Sequence, residues 1–266
     1  MAQPAEKVQN ETQIFREPKV TLVSKQVFLD QGAEDVTGLA QFTDTPVPAE
    51  KLVEFGGRVC YMSYGKGRKT NHEYIEHLLQ SGHGSVLEHA VFSFCFEGVS
   101  RSLTHELIRH RAGFAYSQLS QRYVDESYAA YVEPEIIAQD PKLHAKWMKV
   151  IETCQDAYRD LVEGLLEKTN TLYPNDKTHA RKEARQAARS VLPNATETKI
   201  VVTANARAWR HFMEMRGSEG AETEIRKLAV AVCRILQKES PNLFGDYKVV
   251  PLKGGGEVVE TPYKKV

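Results

Sequence analysis

The chain has 266 residues, and its 35 Lys+Arg balance 35 Asp+Glu, so the formal charge at pH 7 is zero. A hydrophobic share of 41% and a charged share of 26% are ordinary for a globular protein and exclude a wholly disordered or fibrous chain. Zero net charge also argues against a protein that coats nucleic acid through surplus positive charge, so an anionic partner must be gripped by a local cluster of arginines.

Residues 1–18 are polar and aperiodic and read as a flexible N-terminal arm. A short strand is predicted at 20–23. A helix is predicted over 48–62, with Leu52, Val53, Phe55 and Val59 apolar, although Gly56-Gly57 interrupts it. Thr70 to Glu73 has capping-box spacing and opens a helix that Gly82 closes. From 88 to 97 the pattern alternates: Ala90, Phe92, Phe94 and Phe96 share one face, which predicts a strand buried on its aromatic side. A helix over 100–111 runs into the polar stretch AGFAYSQLSQRY. A long amphipathic helix over 141–168 has Leu143, Trp147, Val150, Ile151, Cys154, Tyr158, Leu161 and Leu165 on its expected buried stripe. Further helices are predicted at 178–191, stopped by Pro193, at 205–215 after a strand at 199–204, and at 222–239. Residues 251–266 are glycine-rich and then charged and read as a flexible tail. Helices dominate and strands are few, so the predicted class is α+β, with a mixed or antiparallel sheet and one domain over 19–250.

No run approaches the roughly 20 apolar residues that span a bilayer, and the polar start lacks a signal-peptide core, which points to the cytoplasm. Cys60, Cys95, Cys154 and Cys233 are far apart and read as four buried, reduced thiols. His83, His89, His105 and His110 match no common metal-ligand spacing, so no metal is expected. Neither a dinucleotide fingerprint, a Walker loop nor a GxSxG elbow is present.

The densest polar constellation is HELIRHRAGFAYSQLSQRY, from His105 to Tyr123. On a helix Arg109, His110 and Arg111 fan out too widely to share one solvated face, although cations at a helix end also answer the helix dipole. Ser117, Gln118, Ser120, Gln121 and Arg122 add hydroxyls, amides and a guanidinium, a set suited to a phosphate and a hydrogen-bonding heterocycle. Arg181, Arg185 and Arg189 line one helical face; the first two read as a solvated face, whereas Arg189 adjoins the apolar stop SVLP. Asn205, Arg207, Arg210, His211 and Arg216 surround a helix that starts directly after a strand, where anions bind readily.

Together, GHGSxxEH, RHR, SxLSxRY, RxxLP and NARxxxxFxxxR occur in order over residues 58–240, and the chain thereby resembles the flavin-dependent thymidylate synthases. The resemblance implies reductive methylation of dUMP to dTMP, FAD as cofactor, methylenetetrahydrofolate and NADPH as co-substrates, and a homotetramer with active sites between subunits. It implies dUMP contacts at Glu106, Leu107, Ile108, Arg109, Gln118, Leu119, Ser120, Gln121, Arg122, Arg189 and Arg216. It implies FAD contacts at His89, Arg109, His110, Arg111, Gln118, Asn205, Ala206, Arg207 and His211. This chain has eight residues between Arg111 and Ser120 where the family has seven, so one must bulge before Tyr116. Gln118 stands where some relatives carry a glutamate, and His211 where some carry an asparagine.

Methylating uracil at C5 requires an electron-rich ring. None of the four cysteines lies in the arginine-rich motifs, which argues against a thiolate adding at C6. A permanently charged guanidinium that holds the N3-deprotonated ring serves instead, and Arg216 is the catalytic candidate. Ser120 has no triad-like partner order and reads as a binding hydroxyl. Two competing readings use the same residues: an RNA binder whose Tyr116, Tyr123 and Trp209 stack bases, and a nucleotide-binding regulator without turnover. Neutral charge and the lack of a basic stripe weigh against the first.

Overall fold

Ten helices and eight strands order the chain in the computed structural model, which describes residues 12–266. They are β1 (Ile14–Phe15), β2 (Lys19–Lys25), α1 (Asp30–Thr37), α2 (Pro48–Tyr61), α3 (Asn71–Gln80), β3 (Val91–Ser100), α4 (Arg101–Leu107), β4 (Phe114–Gln118) and β5 (Tyr131–Val132). There follow α5 (Glu135–Ala138), α6 (Pro141–Leu172), α7 (Lys177–Ala188), β6 (Glu197–Asn205), α8 (Ala206–Arg216), α9 (Thr223–Glu239), α10 (Pro241–Phe244), β7 (Lys248–Pro251) and β8 (Glu257–Glu260). Single 3-10 turns occupy Gly84–His89 and Arg189–Val191. Mixed helix and sheet, with a parallel β1–β5 pair and an antiparallel β7–β8 pair, agree with the α+β expectation. No helix among the described residues is long and apolar enough to cross a membrane.

The described residues fall into two units that exchange chain several times. The first holds residues 12–18, 97–104 and 118–199. Its main element is α6, started by Asp140, whose carboxylate accepts from the Lys142 and Leu143 N–H groups (2.8 and 3.2 Å), with Pro141 in the first turn. Ile151, Tyr158 and Val162 of α6 pack on Ala129, Tyr131 and Ala188. Within this core Tyr131 donates to Gln155 (2.6 Å), and Gln155 donates to the Glu126 carbonyl (2.8 Å). Residues 1–11 of the expected N-terminal arm lie outside the described residues. The rest of that arm joins this unit, with β1 on β5 and Arg16 on the buried Glu133 at 2.7 Å.

The second unit holds residues 19–96, 105–117 and 200–266. Its sheet has the order β2-β3-β6-β4, with the ends of β3, β4 and β6 running on into residues of the first unit. Phe92, Phe94 and Phe96 are buried as the alternation requires, and Phe94 meets Trp209 edge-on at 5.1 Å between ring centroids. Trp209 donates its indole N–H to the Phe92 carbonyl (3.2 Å). The apolar stripe of α9, from Ile225 through Leu228, Val232 and Cys233 to Leu236, is buried as expected. Arg210 of α8 is buried in a bidentate pair with Asp246 (2.6 and 2.8 Å), and the same guanidinium lies over the Tyr247 ring.

Several expectations need correction. The helix predicted over 100–111 ends at Leu107, so Arg109, His110 and Arg111 lie on a turn, not on a helix. The next residues form β4, and Gly113 takes φ +75° just before it. The stripe expected to be buried on α6 is only partly so: Leu143, Val150 and Leu161 are exposed. Of the four thiols only Cys233 is buried; Cys60 is exposed and Cys95 and Cys154 are half-buried. The expected tail carries β8, whose Val258 and Val259 are buried, because the chain turns back through Gly254–Gly256 to pair with β7.

Candidate functional site

In the second unit the turn after α4 is built by local bonds. The Arg109 and His110 N–H groups return to the Glu106 and Leu107 carbonyls (3.2 and 3.1 Å). Tyr116 of β4 donates its hydroxyl to the Leu107 carbonyl (2.9 Å) and also bonds the His110 carbonyl, tying the turn to the sheet. This turn brings Glu106 and His110 to Arg216, the last residue of α8. Arg216 Nη1 donates to Glu106 Oε2 at 2.8 Å, Nη2 to the Glu106 carbonyl at 3.2 Å, and Nε to His110 Nε2 at 3.0 Å. Accepting at Nε2 assigns the imidazole proton to Nδ1. Burial, the Arg216 charge and His211 push the His110 pKa down to about 4, so the ring is neutral at pH 7. Three of the five guanidinium N–H groups of Arg216 are engaged, which leaves one on each Nη for a ligand oxygen.

His211 is exposed and 5.7 Å from the His110 ring. Asn205 caps α8, its side-chain oxygen accepting from the Ala208 N–H (2.8 Å), while its own N–H reaches the Gly113 carbonyl (3.3 Å). A Cβ at residue 113 would stand 2.8 Å from Asn205 Nδ2, so glycine there lets the turn approach the start of α8. Ala206 is buried, its N–H given to the Ala90 carbonyl (2.7 Å). Arg207 is occupied by Glu88 (2.7 Å) and the Val266 carbonyl (3.2 Å). His89 ends the 3-10 turn and packs over Gly56 of α2. Arg109, Arg111 and Ile108 are exposed, and neither arginine has a carboxylate partner among the described residues. Leu107 is fully buried, so its side chain serves the core.

In the first unit Gln118 donates to the Thr104 and Thr198 hydroxyls (3.2 and 3.3 Å), and the Leu119 N–H is given to the Lys199 carbonyl (2.9 Å). Ser120 starts a turn: its hydroxyl accepts from the Arg122 N–H (3.4 Å) and its carbonyl from Tyr123 and Val124. Arg185 holds the end of this turn through the Tyr123 carbonyl and Asp125 (2.7 and 2.8 Å). Arg189 follows α7 and has no carboxylate partner among the described residues. Arg122 Nε and Gln121 Nε2 are buried donors without a partner among the described residues.

Arg101 joins them and was missed by sequence reasoning. Its Nη1 is likewise buried and unpartnered. Burial lowers its pKa, Glu126 opposes the shift and Arg189 adds to it, which puts all three charges in one neighbourhood. The available signal was its place at the β3–α4 junction, where a strand hands over to a helix. Glu126 is pushed up to about 7, chiefly by burial, with Arg101 opposing. Guanidinium and amide donors left unsatisfied in protein are costly, and they fit an anionic, oxygen-rich ligand such as a phosphate monoester.

The donor set also fits a flavin. Exposed Arg109 and Arg111, the α8 cap with Asn205, and a neutral imidazole at His110 offer cations for phosphates and a donor for a polar ring edge. No group of three or more His, Cys, Asp or Glu residues among those described is placed to hold a metal.

Comparison with known proteins covers the stretch that holds these motifs. The family model described as "Thymidylate synthase complementing protein" matches residues 41–242. A flavin-dependent thymidylate synthase of Mycobacteroides abscessus is 52% identical over 214 residues, covering 79% of this chain and 84% of its own. One from a Mycobacterium species is 51% identical over 216 residues, with 79% and 85% covered. One from Corynebacterium efficiens is 45% identical over 218 residues, with 81% and 86% covered.

Proposed function

The chain belongs to the thymidylate synthase complementing protein family, and from that membership we propose that it is a flavin-dependent thymidylate synthase that converts dUMP to dTMP. The carbon donor is methylenetetrahydrofolate and the reductant NADPH. The enzyme works in the cytoplasm as a homotetramer, each subunit contributing a catalytic domain over residues 19–250.

The observation that carries this reading is the set of arginine and amide donors left without protein partners in the matched motifs. Arg16, Arg58, Arg159, Arg185, Arg210 and Arg234 each meet a carboxylate within the fold. Arg122 and Arg189 do not, and they suit the dianionic phosphate of dUMP, with Ser120 and Gln121 adding hydrogen bonds. The backbone of Glu106 to Arg109, together with Gln118 and Leu119, completes the proposed nucleotide contacts. His89, Arg109, His110, Arg111, Gln118, Asn205, Ala206, Arg207 and His211 are the proposed FAD contacts.

Arg216 is the proposed catalytic residue. Its two remaining N–H groups form a fork for a uracil oxygen, and its permanent charge favours loss of the N3 proton, which raises electron density at C5. Glu106 and neutral His110 fix the guanidinium plane, so little reorganisation is needed when the charge develops. C5 then bonds to the folate methylene carbon and loses its proton, and the bond from that carbon to the folate nitrogen breaks, releasing tetrahydrofolate. When bound, the flavin supplies the hydride that turns the methylene into a methyl group. Cys233 has no part in this: burial pushes its thiol up to about 12, the opposite of a nucleophile.

The test is formation of dTMP from dUMP by the purified, FAD-loaded protein with methylenetetrahydrofolate and NADPH. Flavin that bleaches with NADPH, followed by dTMP release, supports the proposal. A well-folded, flavin-bound protein that binds dUMP without turnover would support the regulator reading instead.

A further inference from the structure

We propose that Glu126 is a positioning residue for the substrate phosphate: its carboxylate balances Arg101 in the free protein and takes up a proton from solvent when the phosphate of dUMP docks on the unpaired arginines. The proposal rests on the dUMP reading above and adds a proton to it.

Glu126 follows the Ser120 turn, and its main chain is tied to α6 and to its own loop. Its N–H is given to the Tyr158 hydroxyl (3.3 Å), and its carbonyl accepts from the Gln155 side chain (2.8 Å) and the Ala129 N–H (3.1 Å). None of these bonds uses the side chain. The residue is only 6% exposed, yet its Oε1 is buried and accepts no hydrogen bond among the described residues. Carboxylates buried for architecture are bonded in this fold, as Glu54 is by Arg58 and Glu133 by Arg16 and His144. Glu126 instead shares its unit with donors in the same condition. Arg101 Nη1, Arg122 Nε and Gln121 Nε2 are buried and unpartnered, and the charges of Glu126 and Arg189 both act on Arg101.

A phosphate completes the donors and repels the carboxylate. Its charge disfavours an ionised Glu126, and by engaging the arginines it also weakens their support for that ion. Once protonated, the carboxyl is a donor and can bond a phosphate oxygen. Burial already pushes Glu126 up to about 7, with Arg101 opposing and Glu197 and Asp125 adding, so the proton is available near neutrality. Of the other groups beside it, Tyr131 and Tyr158 are phenols raised by burial and stay neutral, and Glu197 is held by the Gly98 N–H (2.8 Å). Above pH 7 the complex then holds more protons than the free protein, so affinity for dUMP falls as pH rises. The sign is diagnostic. The second phosphate ionisation, near pH ~6, and loss of the uracil N3 proton would each strengthen binding to guanidinium groups as pH rises.

The test titrates dUMP into the full-length, FAD-loaded protein by calorimetry, in buffers of different ionisation enthalpy that count the protons exchanged. At pH 8 the wild type should take up about one proton per dUMP more than Glu126→Gln, and its affinity should fall roughly tenfold from pH 7 to pH 8.5. Glu126→Gln removes the charge and keeps the shape, so it should bind dUMP more tightly than wild type at pH 8.5, without the fall. A purely structural Glu126 predicts the opposite, weaker binding by the variant at every pH. Folded, FAD-loaded wild type that binds no dUMP would overturn the dUMP reading itself. Wild type that binds dUMP with an affinity level to pH 8.5 would overturn the Glu126 inference alone, whatever the variant does, and so would a folded variant with the same fall.

Discussion

At Arg216 two roles meet in one side chain, and they make separable predictions. Its contacts to Glu106 and His110 position it, while its two remaining N–H groups are the ones proposed to meet the uracil. Replacing it by lysine keeps a charge but removes the planar fork. Arg216→Lys should lower dTMP formation by about 100-fold, the usual loss for one preorganised donor, with the flavin still bound. Turnover within a few-fold of wild type would remove the uracil assignment.

His110 supplies a second residue-scale prediction. Its folded pKa of about 4 lies below the ordinary 6.5, so the unfolded chain takes up more protons between these values. Stability from neutral His110 is therefore complete above pH 6.5 and is lost as pH falls towards 4, by about 3 kcal/mol in all. Glu126, raised to about 7, works the other way: it favours the folded state at low pH and loses that advantage between 4.5 and 7. The His110 effect must thus be read as a difference. Urea denaturation of wild type and His110→Asn should give stability curves that converge by about 3 kcal/mol from pH 7 to pH 4, and parallel curves would mean that the imidazole titrates normally.

At the scale of elements, packing decided what periodicity left open. Gly56-Gly57 weakens α2 as a sequence, yet α2 runs straight through, because a Cβ at Gly57 would stand 2.3 Å from the Tyr74 hydroxyl and one at Gly56 3.0 Å from the His89 ring. The glycines are a cost in helix propensity that admits α3 and the 3-10 turn. Gly57→Ala should destabilise the protein by about 1–3 kcal/mol in thermal or urea unfolding, although alanine is the better helix former. A stabilised variant would show that Tyr74 moves aside freely.

The same contest explains which parts of the fold were legible. The aromatic alternation of β3, the apolar stripe of α9 and the capping box of α3 each bury or bond the residues their pattern names. The end of α4 was not legible, because the bonds that stop it come from Tyr116 of a later strand. Nor was β8, a short strand that exists through its pairing with β7. The motif arginines were visible as a cluster, but what distinguishes them is which ones lack a partner. That depends on distant carboxylates such as Asp125, which takes Arg185, and Glu88, which takes Arg207. Arg101 escaped notice because its isolation exists only once the chain is folded.

For the whole molecule, zero net charge and unpaired motif arginines belong together. A chain without surplus charge gains little by leaving cations unpaired unless a ligand completes them. Affinity for dUMP should therefore exceed that for deoxyuridine by orders of magnitude, and for single-stranded RNA it should be weak. The most direct measurement is single-turnover dTMP formation by the FAD-loaded protein, reduced anaerobically with NADPH and then mixed with dUMP and methylenetetrahydrofolate. The account predicts one dTMP per reduced flavin, with none from deoxyuridine. Oxidation of the flavin with dUMP recovered unchanged, by protein that binds the nucleotide, would contradict it.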